Sequence, residues 1–437
     1  MTPDVIVVGT GLAGLTAAVR LAQDGARVVV LAKGIGATHL AGATIDVLGY
    51  DPGRVESPAA ALPRLAEERP DHPYARLGAA AVGEALGWLG AQVAAGPLAA
   101  YTYEGGLEEN LLLPTAVGAP KPTAMAPVTM LGGDLRRESL RVCIVGFRQL
   151  KDFHPMLCAE NLAAADAGGR IEARGLELDL PVTGRADVNA QGMAQQLDDP
   201  AVRGALVQQL AGRLHADERV GLPAVLGLRD PHAVWAELEH RLGRPVFEIP
   251  TLPPSVPGMR LYTILRAALR AAGGRQIIGP EVVGPLGDGP RLEGLRVQVG
   301  RREEVRRAGE VVLATGGFAS GGLALDSRWH ARDAALGLPL AGVPADGAPR
   351  FVPGYFDDQP MARAGIAVDN ELRPLDAGGE PVYENVRVAG ASIAGAVPWK
   401  EKSGDGISLA TGHRAAELVL AAGGAPAGLT TASREGR

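Results

Sequence analysis

Residues 4–14 read DVIVVGTGLAG, an apolar strand that runs into Gly9-Thr10-Gly11-Leu12-Ala13-Gly14 and then straight into a helical stretch, LTAAVRLAQDG. Strand, glycine loop and helix in this order form a dinucleotide fingerprint. Gly9 allows the tight turn, Gly11 leaves the backbone open to a pyrophosphate, and Gly14 lets the helix pack on the strand. The first-turn amides, among them those of Leu12 and Ala13, sit at the positive end of the helix dipole and suit phosphate charge. A glycine-rich turn alone says little in a chain with 60 glycines; its strand and helix context carries the weight.

The next strand, Arg27-Val28-Val29-Val30-Leu31-Ala32-Lys33, lacks the acid that normally takes the adenosine ribose hydroxyls about 20 residues on. Ala32 stands there, followed by Lys33. Losing one charge-assisted hydrogen bond costs about 1.5–3 kcal/mol, so a dinucleotide could still be held through its pyrophosphate. Lys33 reads either as a partner for a phosphate or as a solvated strand-end lysine.

The chain has 437 residues, 21% of them charged, and a formal net charge of −6. That length predicts two or three domains. Without a basic excess, nucleic acid is excluded as the expected partner. The first strand begins by residue 4, which leaves no room for a signal peptide, so the expected location is cytoplasmic. Leu77 to Tyr101 is the longest apolar stretch, but it is mostly Ala and Gly and reads as a buried helix from Ala79 to Ala95. Cys143 and Cys158 are the only cysteines. An iron–sulfur cluster needs about four thiolates, so no metal site is expected and onward electron transfer would need another protein.

Organisation along the chain predicts an α/β fold: a Rossmann-like, two-dinucleotide-binding architecture with an inserted α+β cap. Residues 1–50 and 256–422 would form one discontinuous nucleotide domain, 51–255 the inserted cap, and 423–437, rich in Gly, Ala, Thr and Ser, a disordered tail. The returning part reads as a helix from Met259, a strand at Gln276-Ile277-Ile278, a hairpin around Gly300-Arg301-Arg302, a strand ending at Ala314-Thr315-Gly316-Gly317, and another ending at Gly390-Ala391. Gly404-Asp405-Gly406 then opens a helix to about Ala422. In the middle region helical periodicity falls around 58–69, 79–95, 198–215 and 231–242.

This order, with both chain ends building one site, is what two-domain flavoproteins show. The amides at Gly404-Asp405-Gly406 would face the flavin N1/O2 edge, where negative charge develops on reduction. Thr315, Gly316 and Gly390, and the loop from Thr38 through Gly42 and Ala43 to Thr44, would pass the cofactor.

The segments DVIVVGTGLAGLTAAVRLAQDGARVVVLAKG, ATHLAGATIDVLGY, LPTAVGAPKPTAMAP, VGLPAVLGL, FEIPTLPPSVPGMRL and VVLATGGFASGGL carry a closer likeness. With them the chain resembles the B subunit of anaerobic glycerol-3-phosphate dehydrogenase, within the FAD-dependent oxidoreductase superfamily. The missing acid at Ala32 also resembles this subunit rather than its larger partner, the A subunit. The resemblance implies oxidation of sn-glycerol 3-phosphate to dihydroxyacetone phosphate, with electrons passed to a membrane quinone. It implies two partners, the dehydrogenase A subunit plus an iron–sulfur subunit, the latter making any contact with the inner face of the membrane. It associates this subunit with FMN, whereas the fingerprint fits FAD; both cofactors stay open at this stage.

Oxidising a secondary alcohol needs a base for the hydroxyl proton and cations for a phosphate. His39 is the favoured base, because its loop follows the second strand; His154 and His413 are the others. Arg260, Arg363 and Lys400 are the candidate phosphate holders, since a guanidinium or an ammonium pairs with it. Asp46 reads as a turn or cap residue. A stand-alone flavin oxidoreductase of the fumarate reductase or ketosteroid dehydrogenase kind, and a non-catalytic assembly subunit, are the alternatives.

Overall fold

The computed structural model describes residues 2–98, 100–136, 139–166, 168–182 and 187–423. The expected tail lies, beyond residue 423, outside the described residues.

Val5–Val8 is buried at every position, as a strand covered on both faces must be. It pairs in parallel with Val28–Ala32 on one side and Glu310–Leu313 on the other. Arg275–Ile278 and Val386–Val388 close the two edges, giving a five-stranded, wholly parallel sheet. Three of its strands thus come from the second half of the chain. The helix Leu12–Gln23 returns between the first two strands, and the last helix, Gly404–Ala421, packs on it. A three-stranded antiparallel sheet, Glu281–Leu286, Gly294–Val299 and Arg302–Arg307, stands beside the parallel one.

In the insertion Tyr103–Gly105 with Met125–Pro127 and Leu111–Pro114 with Pro120–Thr123 pair antiparallel, whereas the strands from residue 140 onward pair in parallel. Their order is Val246–Ile249, Arg219–Pro223, Leu140–Phe147, Ile171–Leu178, with helices Pro155–Ala164, Pro200–Leu210 and Pro231–Leu242 between them. The insertion thus holds a parallel, helix-connected unit beside antiparallel pairs. Leu140–Phe147 is buried at all but one position, a near-continuous apolar run that has no amphipathic period to betray it. Helix starts in this unit follow local chemistry. Asp199 and Asp230 accept from the amides of Ala201 and Ala233, each ahead of a proline in the first turn.

The hydrophobic core divides at a different place from the sequence expectation. One core gathers side chains from 5–125 and 261–419, and a second gathers those from 135–256. Helices Pro58–Glu68 and Pro73–Ala94 belong to the first core, not to the insertion, and the second of them breaks at Gly78, where φ is +77°.

The two cores are joined by a buried ion pair. Arg260, in helix Val256–Ala271, places Nη1 2.6 Å from Glu248 Oε2 and Nη2 3.0 Å from Oε1. Both side chains are fully buried. Thr129 Oγ1 and the Leu226 amide also donate to Glu248, and Arg260 donates further to the Gly227 carbonyl and to Tyr101 OH. Burial pulls the guanidinium's pKa down, and Glu248 outweighs that and raises it above its ordinary value.

Glu248→Ala would leave Arg260 as an uncompensated buried charge, at a cost of about 3–5 kcal/mol. Calorimetry should show a clearly lowered melting temperature. Glu303→Ala, which breaks the exposed Arg296–Glu303 pair, should stay within about 1 kcal/mol of the parent. Equal effects from the two variants would mean that the buried pair does not join the cores.

Candidate active site

A cavity of about 470 Å³ opens at the carboxyl ends of the parallel strands, the place where open α/β sheets bind ligands. Its floor is the fingerprint loop, with Gly9, Gly11, Leu12 and Ala13 in the wall. Gly9 has φ +113°, and a Cβ there would collide with the Ala314 carbonyl; a Cβ on Gly14 would collide with the Gly9 carbonyl. These two glycines are demanded by the chain itself, and Gly14 lies outside the wall. Gly11 differs, because a Cβ built on it meets nothing within 4 Å. Gly11 also stands at the cap of the first helix with no side chain capping that helix's amides.

Further along the cavity, Thr38, Ala43, Thr315, Gly316, Gly390 and Asp405 complete the wall from four separate segments of chain. The buried hydroxyl oxygens of Thr38 and Thr315 have no hydrogen-bond partner among the described residues. An uncapped helix start, an open Cβ direction and two unpartnered hydroxyls around one cavity suit a phosphate-bearing cofactor. Gly42 packs against Pro250, Gly404 against Pro398, and Gly406 against Val47 while donating its amide to Asp46 O. These three support the wall from outside it.

Where the second strand ends, Ala32 and Lys33 line the cavity, and so does a residue that sequence reasoning missed. Glu281, from the antiparallel sheet, places its carboxylate 2.9 Å from Lys33 Nζ. The acid missing at the end of the second strand is thus present in the same wall, supplied from a strand about 250 residues away. Only the pairing of Arg275–Ile278 with Val28–Ala32 brings it there, and no local signal marks it.

At the opposite end Asp405 lies half-buried in the first turn of the last helix. Burial pushes its carboxyl up, Asp46 beside it pushes further, and Lys121 offsets only part, leaving it at about 7. Behind it, Lys121 Nζ sits 2.9 Å from Asp46 Oδ2 and 2.6 Å from Thr44 Oγ1, and Thr44 donates in turn to Asp46 Oδ1. Asp46 is therefore part of a charged cluster rather than a plain turn cap.

The expected base and phosphate holders lie elsewhere. His39 turns away from the cavity and stacks edge-on against Tyr262, with ring centroids 4.6 Å apart; burial lowers its pKa. His154 is exposed at a helix start, and His413 is buried near Trp88 and Glu417. Arg260 is committed to Glu248 and closed to any phosphate, because a guanidinium fork suits an internal carboxylate equally well. Arg363 is exposed outside the wall, and Lys400 pairs with Asp358 at 2.6 Å. Both cysteines are buried in the second core, their thiols pushed up to about 11 by burial.

A flavoprotein site of the dinucleotide-binding class is what this cavity defines, and residues 4–407 match the family described as FAD binding domain. A protein of Halobacterium salinarum, named as a probable B subunit of anaerobic glycerol-3-phosphate dehydrogenase, is 34% identical over 94% of this chain and 96% of its own. The B subunit of the enzyme so named in Pectobacterium carotovorum is 32% identical over 97% of this chain and 100% of its own. The chain belongs to the FAD-binding oxidoreductase family and, within it, to the family of anaerobic glycerol-3-phosphate dehydrogenase B subunits. Its cofactor is a flavin, FAD. A solved 3-ketosteroid delta1-dehydrogenase from Sterolibacterium denitrificans covers 96% of the chain at 14% identity and a TM-score of 0.43, too loosely to carry any residue across.

Gly11→Val should fold normally yet purify without flavin, because its side chain enters the cavity and nothing else. Gly14→Val, which meets backbone, should instead lose stability. Flavin absorbance against melting temperature separates the two, and full flavin content in Gly11→Val would place the cofactor elsewhere.

Glu281→Gln should weaken FAD binding about tenfold, the low end for a charge-assisted hydrogen bond at an exposed position. FMN, which has no adenosine, should bind as before. Titration of apoprotein with each flavin checks this, and an unchanged FAD affinity would remove Glu281 from the ribose site.

Proposed function

We propose that this chain is the flavin-bearing subunit of a heteromeric, quinone-linked dehydrogenase that oxidises sn-glycerol 3-phosphate to dihydroxyacetone phosphate. The observation that carries the reading is the end-to-end match to relatives named for that activity, together with a cavity built for FAD.

Bound flavin would supply the two-electron acceptor for the hydride leaving the substrate carbon. The chain's own part is to take the hydroxyl proton. Asp405 is the proton acceptor in this reading: it lies in the cavity wall, and a carboxyl brought near neutrality is matched to that task. Asp46 and Lys121 are positioning residues, since they set the charge around Asp405 without lining the cavity. Arg260 has no part in substrate binding here.

Two observations support a heteromeric enzyme. The relatives are named as one subunit of several. Five aromatic side chains, Trp329, Phe351, Tyr355, Phe356 and Trp399, are also exposed and packed on one another in pairs, Trp329 on Phe351 and Tyr355 on both Phe356 and Trp399, and aromatic anchors of this kind concentrate at interfaces. Among the described residues no helix is long and apolar enough to cross a membrane, so quinone contact is assigned to an iron–sulfur partner, with the dehydrogenase A subunit as the third component.

The test is dye-linked oxidation of glycerol 3-phosphate by the chain assembled with its partner subunits. The rate should rise with pH through about 7 as Asp405 loses its proton, and Asp405→Asn should lower it about 10²- to 10⁴-fold and abolish that limb. A parental rate and pH profile in Asp405→Asn would move the base elsewhere; no reduction dependent on glycerol 3-phosphate would overturn the substrate.

A further inference from the structure

The loop 35–39 forms part of two walls. Gly36, Ala37 and Thr38 line the cofactor cavity, whereas Ile35 and His39 line a second cleft, of about 610 Å³. Along helix Val256–Ala271, Tyr262, Arg266 and Arg270 recur every fourth residue and so share one face, and that face borders the cleft. Arg275 opens the neighbouring strand and completes the rim. No carboxylate lines the cleft, and among the described residues none of the three arginine side chains has an ion-pair or hydrogen-bond partner.

Three unneutralised cations converge on one concavity in a chain of net charge −6, which leaves their guanidinium groups free to take an anion. Arg266 and Arg270 stand one turn apart, where like charges repel. The negative end of the helix dipole accounts for Arg270, in the last turn, but not for Arg266 or for Arg275 on the strand. The interior of the cleft is built as well. Gln276 Nε2 donates to Tyr262 OH at 2.9 Å and to Thr10 Oγ1 of the fingerprint loop. His39 packs on the same tyrosine, and its buried Nε2 has no partner among the described residues.

We propose that this cleft is a binding site for a phosphate group, separate from the cofactor cavity, with Arg266, Arg270 and Arg275 as its cationic rim and His39 at its base. Guanidinium forks match the oxygens of a phosphate monoester or pyrophosphate. The same group arrives either on a free small molecule or on the headgroup of an anionic lipid, and the exposed Ile35 and Ile278 at the opening are compatible with both.

The flavin-loaded chain would be titrated with sodium pyrophosphate at fixed ionic strength, and in parallel floated with vesicles of phosphatidylcholine alone or mixed with phosphatidylglycerol. Binding of pyrophosphate, weakened at least about tenfold in Arg266→Gln/Arg270→Gln, assigns the site to a free phosphate. Flotation only with the anionic vesicles, lost in the same variant, assigns it to a lipid headgroup. Arg301→Gln/Arg302→Gln, which removes two equally unpaired arginines from a hairpin turn outside the cleft, should change neither measurement. Flavin content monitors folding, and Arg275→Gln replaces the double variant should that one fold poorly. The proposal is overturned if neither probe binds the parent chain, or if the hairpin variant loses binding as much as the cleft variant does.

Discussion

The pair Arg260–Glu248 fixes how the two cores sit on each other, and the cofactor cavity depends on that seating. Both charges are withdrawn completely from water, which costs several kcal/mol per ion before their attraction returns any of it. The pair is tolerable because the remaining capacity is filled by Thr129, the Leu226 amide and the Gly227 carbonyl. An apolar contact of the same size would stabilise as well but would specify no single alignment, so the pair is better understood as a device for registration. Its reach is direct. The helix carrying Arg260 begins at Ser255, whose amide donates to the His39 carbonyl, and a Cβ on Gly258 would collide with the Thr38 carbonyl. Helix Val256–Ala271 therefore holds the 37–41 loop, and that loop is part of the cavity wall.

A second hub governs the other end. Glu401 accepts from Arg69 at 2.7 Å, from Ser403 Oγ at 2.8 Å and from the Val397 amide at 3.1 Å, with His72 Nε2 at 3.2 Å. Because His72 Nδ1 accepts from the Tyr74 amide, Nε2 carries the proton toward Glu401. Burial would raise this carboxyl, but the donors, His72 foremost, hold it at about 2. Asp405, a few positions on, meets the reverse: burial and a neighbouring carboxylate, with only Lys121 and a backbone hydrogen bond in opposition. Two acids driven apart by their surroundings are the pattern by which one fold keeps a structural anion and a proton acceptor side by side. Glu401 anchors the start of the last helix, and Asp405 is the acid that the proposed mechanism uses as proton acceptor.

What was legible in the sequence follows from how local each signal is. The strand–loop–helix at 4–23, the hairpin around Gly300, and the helices expected near 58–69 and 231–242 are encoded by neighbouring residues and fall where the periodicity puts them, while the helix expected over 198–215 runs only Pro200–Leu210. The parallel sheet of the insertion was not legible, because strands such as Leu140–Phe147 are buried on both faces and carry no period. Arg260 and His39 show the same limit in the site. An arginine reads identically whether its fork meets a phosphate or a glutamate twelve residues earlier in the chain, and which way a histidine turns off a short loop is decided by Tyr262, more than 200 residues on. Glu281 could not be found at all without strand pairing.

The re-siting of that acid also bears on how the cofactor site is built. At the end of the second strand a carboxylate would sit on the strand that carries the ribose, fixed by that strand alone. Placed on the antiparallel sheet, and tethered to Lys33 by an exposed ion pair, it depends instead on the docking of two sheets. The exposed pair holds it weakly, since such contacts contribute about 0–1 kcal/mol, so Glu281 can leave Lys33 for a better partner at little cost. The 33–39 loop shares this poise: a Cβ on Gly36 would press on the Gly11 backbone, while Gln276 ties the fingerprint loop to Tyr262. The 33–39 loop thus borders both the cofactor cavity, through Lys33, Gly36, Ala37 and Thr38, and the arginine-rimmed cleft, through Ile35 and His39.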